Sequence, residues 1–389
     1  MPWRSVDCMD ERYRFVSLAV QPYSNISELC RRFGISRKTG YKLLKRYRAE
    51  GRAGVEERSR SPKHIPHRVS VEMTCEIVAV RTAHPRWAGA TIRTVLLRSF
   101  KASEVPSART IDRVLDRCGL IERRRRCRGK RVYYPEQVIR PTKPNDVWTV
   151  DFKGWWLTKD GRKCIPLTIR DEYSRYILDI GALTEGNTAA VRRRFEACFE
   201  RFGVPRYIRS DNGAPFCATE GLRKLTELSA WWIKLGVMPN RIPLASPCYN
   251  GGHERMHRDL CAEVQSKPAR NCKQQQHCLD VWREEFNTVR PHRALDMKTP
   301  SDVYVCSNRS YQEAQRPFEY SPSLEVRTVS RWGQIWWQGA RHFITGALRN
   351  EQIGIHVADD EIQFFFCDFF LGTTPPDFSQ PIREPVAKS

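Results

Sequence analysis

Pro205-Arg206-Tyr207-Ile208-Arg209-Ser210-Asp211-Asn212-Gly213-Ala214-Pro215-Phe216 is the stretch on which the fold turns. Tyr207 and Ile208 have the character of the end of a buried strand, and Ser210 to Gly213 breaks that pattern with turn-forming residues. Asp211 is thereby set at the carboxyl end of a strand, where open α/β sheets place their ligands. A carboxylate there can share divalent metal with other carboxylates and serve phosphoryl transfer. Taken alone, Asp-Asn-Gly is equally an ordinary tight turn.

Working outward, Val147-Trp148-Thr149-Val150-Asp151-Phe152 is a β-branched and aromatic run with one carboxylate inside it. Burying an unpaired carboxylate costs several kcal/mol or forces it to hold a proton, so a cation is expected near Asp151, either Lys153 or a bound metal. Cys164 to Ile169 and Tyr176 to Ile180 have the pattern of two more strands. Thr188 to Phe202 forms a helix with Val191, Phe195, Cys198, Phe199 and Phe202 on one face. Strands alternating with helices predict an α/β core. On the far side, Asn250-Gly251-Gly252 launches a helix on which Glu254 and Arg258 lie four apart, on one face. Glu254 can then turn to a metal while Arg258 approaches a phosphate. Alone, the two residues would make a surface ion pair.

The chain has 389 residues, enough for two to four domains, and a net charge of +22. Residues 1–143 hold 33 Lys and Arg against 14 Asp and Glu, a net of +19, which leaves +3 for the rest. So lopsided a distribution predicts a nucleic-acid-binding arm on a more neutral body. The 14 Cys include no Cys-x-x-Cys pair and sit singly in apolar stretches, as reduced core residues do. His64 and His67 with Cys75 lack the second Cys of a zinc site. No signal peptide and no membrane-length apolar run is visible, so a cytoplasmic protein is expected.

Asn25 to Tyr47 contains two short helical patterns joined by Gly34-Ile35-Ser36. The first opens on Asn25 with Glu28 three residues on, and the second follows Ser36 as N-cap. Arg37, Lys38, Lys42, Lys45 and Arg46 cover the surface of the second helix, the layout of a helix-turn-helix whose second helix enters the major groove. After a linker at Gly51 to Pro66, helical patterns resume through Ile92, Ile111 and Leu115, with Arg109 and Arg113 on the last of them. Arg124, Arg125 and Arg126 belong to a basic run from Arg123 to Arg131 suited to tracking a phosphate backbone.

Together these pieces resemble the bacterial insertion-sequence transposases that carry an integrase-type (DDE) catalytic core, relatives of retroviral integrases. Ser27 to Ser36, Trp148 to Lys153, Ser210 to Gly213 and Asn250-Gly251-x-x-Glu254-Arg255-x-His257-Arg258 carry the resemblance. Phe286-Asn287-x-x-Arg290-Pro291-His292-x-x-Leu295 matches the close of the core. The resemblance implies a ribonuclease-H-like core whose acidic triad is Asp151, Asp211 and Glu254. These would bind two Mg²⁺ (or Mn²⁺) ions for in-line attack by water or a DNA 3′-hydroxyl. The second and third acids are separated by 42 residues, more than in retroviral integrases, and Leu222 to Val237 is expected to be an inserted helix. The zinc motif of the retroviral proteins is missing, with helix-turn-helix units in its place.

Beyond Pro317, Leu324 to Val329, Ile335 to Trp337, Arg341 to Thr345, Ile353 to Val357 and Ile362 to Phe366 alternate as short strands and predict a small β-barrel. Trp336 and Trp337 are expected to pack into its core. The expected organisation is a multidomain chain: a helix-turn-helix domain at 1–60, a second helical unit at 67–122, a basic linker at 123–143, the α/β core at 144–308, the barrel at 320–372 and a disordered tail at 373–389. Its expected function is a transposase that binds its element's terminal inverted repeats, cleaves the ends and joins them to target DNA, as a homo-oligomer and without a membrane. The rivals are a catalytically silent DNA-binding regulator and a ribonuclease-H-like nuclease without strand transfer.

Overall fold

The computed structural model describes residues 8–56, 68–121, 139–242, 251–377 and 380–384. The chain divides into two compact units, Met1–Arg68 and Val69–Ser389.

In the first unit α1 (Cys8–Ala19), α2 (Ile26–Arg32) and α3 (Arg37–Glu50) enclose Phe15, Val16, Cys30, Leu43 and Leu44. The predicted caps form: Asn25 accepts from the amides of Ser27 and Glu28, and Ser36 accepts from that of Thr39. Gly40 is required for packing, because a Cβ there would lie 2.5 Å from the Cys30 sulfur.

The second unit opens with α4 (Val71–Ala83), α5 (Gly89–Leu96) and α6 (Ala108–Arg117) around Ile77, Trp87, Ile92 and Ile111. Next come β1 (Val147–Phe152), β2 (Trp156–Leu157), β3 (Lys163–Asp171) and β4 (Ile177–Leu183). After α7 (Thr188–Phe202) follow β5 (Tyr207–Ser210), α8 (Glu227–Lys234) and β6 (Met238–Arg241). β3 pairs antiparallel with β1 and β4, while β5 runs parallel to both β1 and β6. Two successive antiparallel pairings, β1 with β3 and β3 with β4, on one side of β1 and parallel strands on the other give a ribonuclease-H-like sheet. Parallel strands need a crossover, and α8 supplies it between β5 and β6. The helix expected as an insertion over Leu222 to Val237 is therefore a single short 3-10 turn, Leu222–Lys224, followed by the core's own connecting helix.

α7 and α8 cover one sheet face through Trp148, Leu167, Phe195, Phe199, Ile208 and Trp232. α9 (Gly251–Leu260) and α10 (Cys272–Thr288) cover the other through Ile177, Ile180, Met256, Leu279 and Trp282. On β4, Leu178 joins the first of these cores while its neighbour Ile177 joins the second. The short helices α11 (Pro300–Val303) and α12 (Tyr311–Ala314) pack on α10 and on α7 respectively.

The C-terminal strands are β7 (Glu325–Thr328), β8 (Gln334–Trp337), β9 (Ala340–Phe343), β10 (Gln352–Val357), β11 (Ile362–Phe366) and β12 (Phe369–Thr374). They do not close the expected barrel: the ladder is a four-stranded sheet, β12-β11-β10-β7, beside a separate β8-β9 hairpin. The turn at Ser330 to Gly333 and the 3-10 turn Gly346–Leu348 lead the hairpin away from the sheet, and the Trp337 indole reaches back to Glu325 at 2.9 Å. The two tryptophans split, Trp337 buried and Trp336 61% exposed. This region shares one apolar core with Leu225, Ala230 and Ile233 around α8. The tail taken to begin at Thr373 is partly folded, since Thr373 bridges Arg383 and the Thr374 hydroxyl donates to the carbonyl of Gln380.

Candidate active site and nucleic-acid interface

Asp151 is the fifth residue of β1, past four buried positions, and is partly open to solvent. Asp211 follows directly on β5, the parallel neighbour of β1, so both acids stand at the same end of the sheet. The Asp211 carboxylate is turned by its own loop, accepting from the amide of Gly213 at 3.2 Å. Glu254 lies in the first turn of α9 and is exposed. The sheet and α9 thus bring Asp211 and Glu254 within electrostatic reach of Asp151. Burial, then the charge of Asp211, then that of Glu254 push the Asp151 carboxyl up to about 7, against opposing contributions from the Phe152 amide and Lys153. Among the described residues no three His, Cys, Asp or Glu side chains stand close enough together to hold a metal ion. Asp211 and Glu254 are both exposed, and Asp151 alone is partly buried.

A polar network behind Asp151 was not singled out by the sequence. The Thr168 hydroxyl donates to the Asp151 carbonyl at 2.9 Å and contacts Nε2 of His253 at 2.5 Å and of His257 at 2.8 Å. One hydroxyl has one proton, so both imidazoles must donate to it through Nε2. Burial holds His253 well below its ordinary pKa and His257 at about 3, so both rings are neutral and their Nδ1 atoms are bare. The His253 Nδ1 meets the Thr149 hydroxyl at 3.0 Å. His at i and i+4 on one buried face of α9, beside Glu254, was the signal available.

The cations predicted to meet DNA divide by position. Arg37, Lys38, Lys42 and Lys45 are exposed on α3, and Arg46 is half-buried. Arg109 and Arg113 are exposed on α6, one turn apart, and Arg258 is exposed on α9 one turn beyond Glu254. Arg124, Arg125 and Arg126 lie outside the described residues.

The second helical unit is pinned to the core by charge. Arg86 and Arg290 each approach the buried Asp259 carboxylate at 2.7 Å. His84 stacks on Trp87 at 3.7 Å and reaches Glu263 at 3.6 Å and Glu285 at 3.0 Å. Burial opposes its charge, but the two carboxylates prevail and raise its pKa to about 9. No helix among the described residues is long and apolar enough to cross a membrane.

Integrase core domain families match residues 141–247 and 235–300. A helix-turn-helix domain family matches 11–63 and a homeodomain-like family 39–115. The chain is 25% identical over 301 residues to an uncharacterised 39.2 kDa protein of insertion element IS476 from Xanthomonas euvesicatoria, covering 76% of this chain and 82% of the relative. It is 27% identical over 212 residues to an uncharacterised 31.7 kDa protein of insertion element IS407 from Burkholderia multivorans, covering 54% and 73%. Among solved structures, the HTLV-2 integrase catalytic core domain in complex with magnesium aligns over 42% of this chain and 99% of its own, at 15% identity and a TM-score of 0.33. A simian T-cell lymphotropic virus intasome chain aligns over 80% and 100%, at 12% identity and a TM-score of 0.38. An integrase core implies the polynucleotidyl transferase superfamily, and the helix-turn-helix domains imply DNA binding. The chain thus carries helix-turn-helix and integrase core domains in one polypeptide and is similar to proteins of insertion elements.

Proposed function

We propose that the chain is a DNA transposase that recognises the terminal inverted repeats of its element, cuts the ends and joins them to target DNA. The observation that carries this reading is the electrostatic coupling of Asp151 to Asp211 and Glu254, acids drawn from two parallel strands and a separate helix. Three carboxylates offering hard oxygens suit Mg²⁺ or Mn²⁺ and make these residues the proposed ligands. Two such ions, when bound, supply activation of the attacking oxygen and stabilisation of the leaving one. The protein's own part is positional. Thr168, His253 and His257 hold the β1 backbone beneath Asp151, the Asp211 loop is closed on its own amide, and Arg258 is one helical turn from Glu254 to meet a phosphate.

End recognition is assigned to α3 and α6, where Arg37, Lys38, Lys42, Lys45, Arg46, Arg109 and Arg113 reach DNA, together with Arg124, Arg125 and Arg126. One set of three acids acts at one strand position at a time, so pairing two ends calls for at least two protomers. A labelled element end incubated with supercoiled plasmid and Mg²⁺ should give a joined product that disappears with chelator. A nicked but unjoined end would favour the nuclease reading. Binding without any cleavage would favour the silent regulator.

A further inference from the structure

Around the Gly252 to Asp259 segment of α9 lies a cavity of about 70 Å³, on the order of five waters in size. Its walls carry Arg170 from β3, Arg175 from the β3–β4 turn, Arg255 from α9, and Arg290, His292 and Arg293 from the segment after α10. Asp259 is the single carboxylate among the lining residues, and it is already engaged by Arg86 and Arg290. Arg170 is 1% exposed and gives one Nη to Glu172, leaving its buried Nε without a partner. The Nε of Arg175 and the Nε2 of His292 are likewise buried and unpartnered.

Two backbone features keep this concentration of charge in place. A Cβ at Gly252 would come within 2.5 Å of an Arg170 Nη, so glycine lets α9 approach the guanidinium without displacing it. Arg175 is held at φ 64°, where Gly or Asn would cost less. The charge is felt locally: burial, then Arg290, Arg175, Arg170 and Arg255, press the pKa of His292 down to about 3. Glu172 answers Arg170 and Asp259 answers Arg290, which leaves Arg175, Arg255 and Arg293 around the cavity to meet a further anion.

We propose that this pocket is a binding site for one phosphodiester group of the DNA backbone, gripped by Arg170, Arg175 and Arg255 and closed at the rim by Arg293. Guanidinium forks match phosphate oxygens in pairs, and a buried fork is fixed before the ligand arrives. Arg255 adjoins Glu254, so the held phosphate would fix the register of the strand presented to the three acids. The proposal rests on the chain acting on DNA. It also gives Arg290-Pro291-His292 a role, as the wall of the pocket.

The test uses the full chain and a DNA duplex, with affinity measured between 50 and 200 mM salt, a range over which phosphate contacts are resolved. Arg255 and Arg293 are exposed, so R255Q and R293Q should fold. The double variant R255Q/R293Q should flatten the slope of log affinity on log salt by about 0.9, the effect of one phosphate. Adding R175Q should flatten it no further, because all three arginines serve that one phosphate. An unchanged slope would overturn the proposal, as would a further loss of about 0.9 for each arginine removed, the mark of separate surface contacts. Inorganic phosphate, followed by thermal melting, is the second arm. It should raise the melting temperature of the wild type and not of the triple variant. A phosphate effect on melting with no change in DNA slope would make the pocket a free-anion site and overturn the DNA assignment. Failure of the wild type to bind DNA at all would instead overturn the proposed function itself.

Discussion

The Nδ1 of His257 stands 3.9 Å from Oδ2 of Asp151, with the Thr168 hydroxyl fixing the other side of the same ring. The bare Nδ1 lone pair repels an ionised carboxylate and tolerates a protonated one, in keeping with the raised pKa of Asp151. Thr168→Val keeps the shape of the side chain and removes the hydroxyl. It strands two buried imidazole N–H groups at about 1–3 kcal/mol each. We expect a fall of roughly 2–4 kcal/mol in urea-unfolding stability and weaker nicking by the folded fraction. A Thr168→Val protein as stable and active as wild type would remove this network from the account.

The same carboxyl predicts a pH effect. Its pKa rises from 3.8 to about 7 on folding, so the folded state favours the protonated form. Its contribution to stability is full below 3.8 and is lost as pH climbs through 7. Metal-free wild type should therefore lose more stability between pH 5.5 and pH 8 than Asp151→Asn, as followed by urea midpoints. Bound Mg²⁺ must displace that proton, so its affinity should weaken as pH falls below about 7. Equal pH profiles for the two proteins would contradict this.

His84 works in the opposite range. Its folded pKa of about 9 lies above its ordinary 6.5, so its pairing with Glu263 and Glu285 stabilises fully below 6.5 and fades as pH rises through 9. His84→Gln should cost on the order of 2 kcal/mol at pH 6 and much less at pH 10. Chemical denaturation at the two values checks it. A cost independent of pH would assign His84 to stacking on Trp87 alone.

Removing residues 318–389 should damage the core as well as the C-terminal sheet. Leu225, Ala230 and Ile233 would lose their apolar cover, a loss of several kcal/mol at about 25 cal/mol per Å². Calorimetry of the 1–317 fragment should show a markedly lower melting temperature. A core that melts as in the full chain would make the C-terminal region an independent appendage.

Much of this organisation was legible in the sequence because it follows local rules. The caps at Asn25 and Ser36 and the apolar face of Thr188 to Phe202 are signals carried by adjacent residues. The barrel was not. Short alternating strands predict a β-rich region, but whether β7 meets β8 in a ladder depends on turns such as Ser330 to Gly333 and Gly346–Leu348. The helix at Leu222 to Val237 was misread as an insertion because a crossover helix has the same amphipathic pattern as an extra one. Thr168 went unnoticed as a site residue because its partner His257 is 89 positions away in sequence. Asp151 and Asp211 could be proposed together only through resemblance. Their meeting depends on β1 and β5 lying side by side.

The first unit should bind DNA as a separate body. Residues 1–68 are expected to bind a duplex with steep salt dependence, and replacing both Arg37 and Lys38 by Ala should reduce preference for the element's end over random DNA. Gel shifts on the two duplexes decide between base contact and phosphate contact. An unchanged preference with lower overall affinity would make these residues phosphate contacts and move base reading to Arg109 and Arg113 on α6.

Paired gel-shift and nicking assays on Asp151→Asn, Asp211→Asn and Glu254→Gln test the central claim most directly. Each substitution keeps the side chain's size and removes a carboxylate. Each should lower cleavage and joining by more than the roughly 10–100-fold that changes around a metal site cost, while binding to the element's ends stays near wild type. Strand transfer retained by any one of the three would take that residue out of the site, and retention by all three would contradict the account.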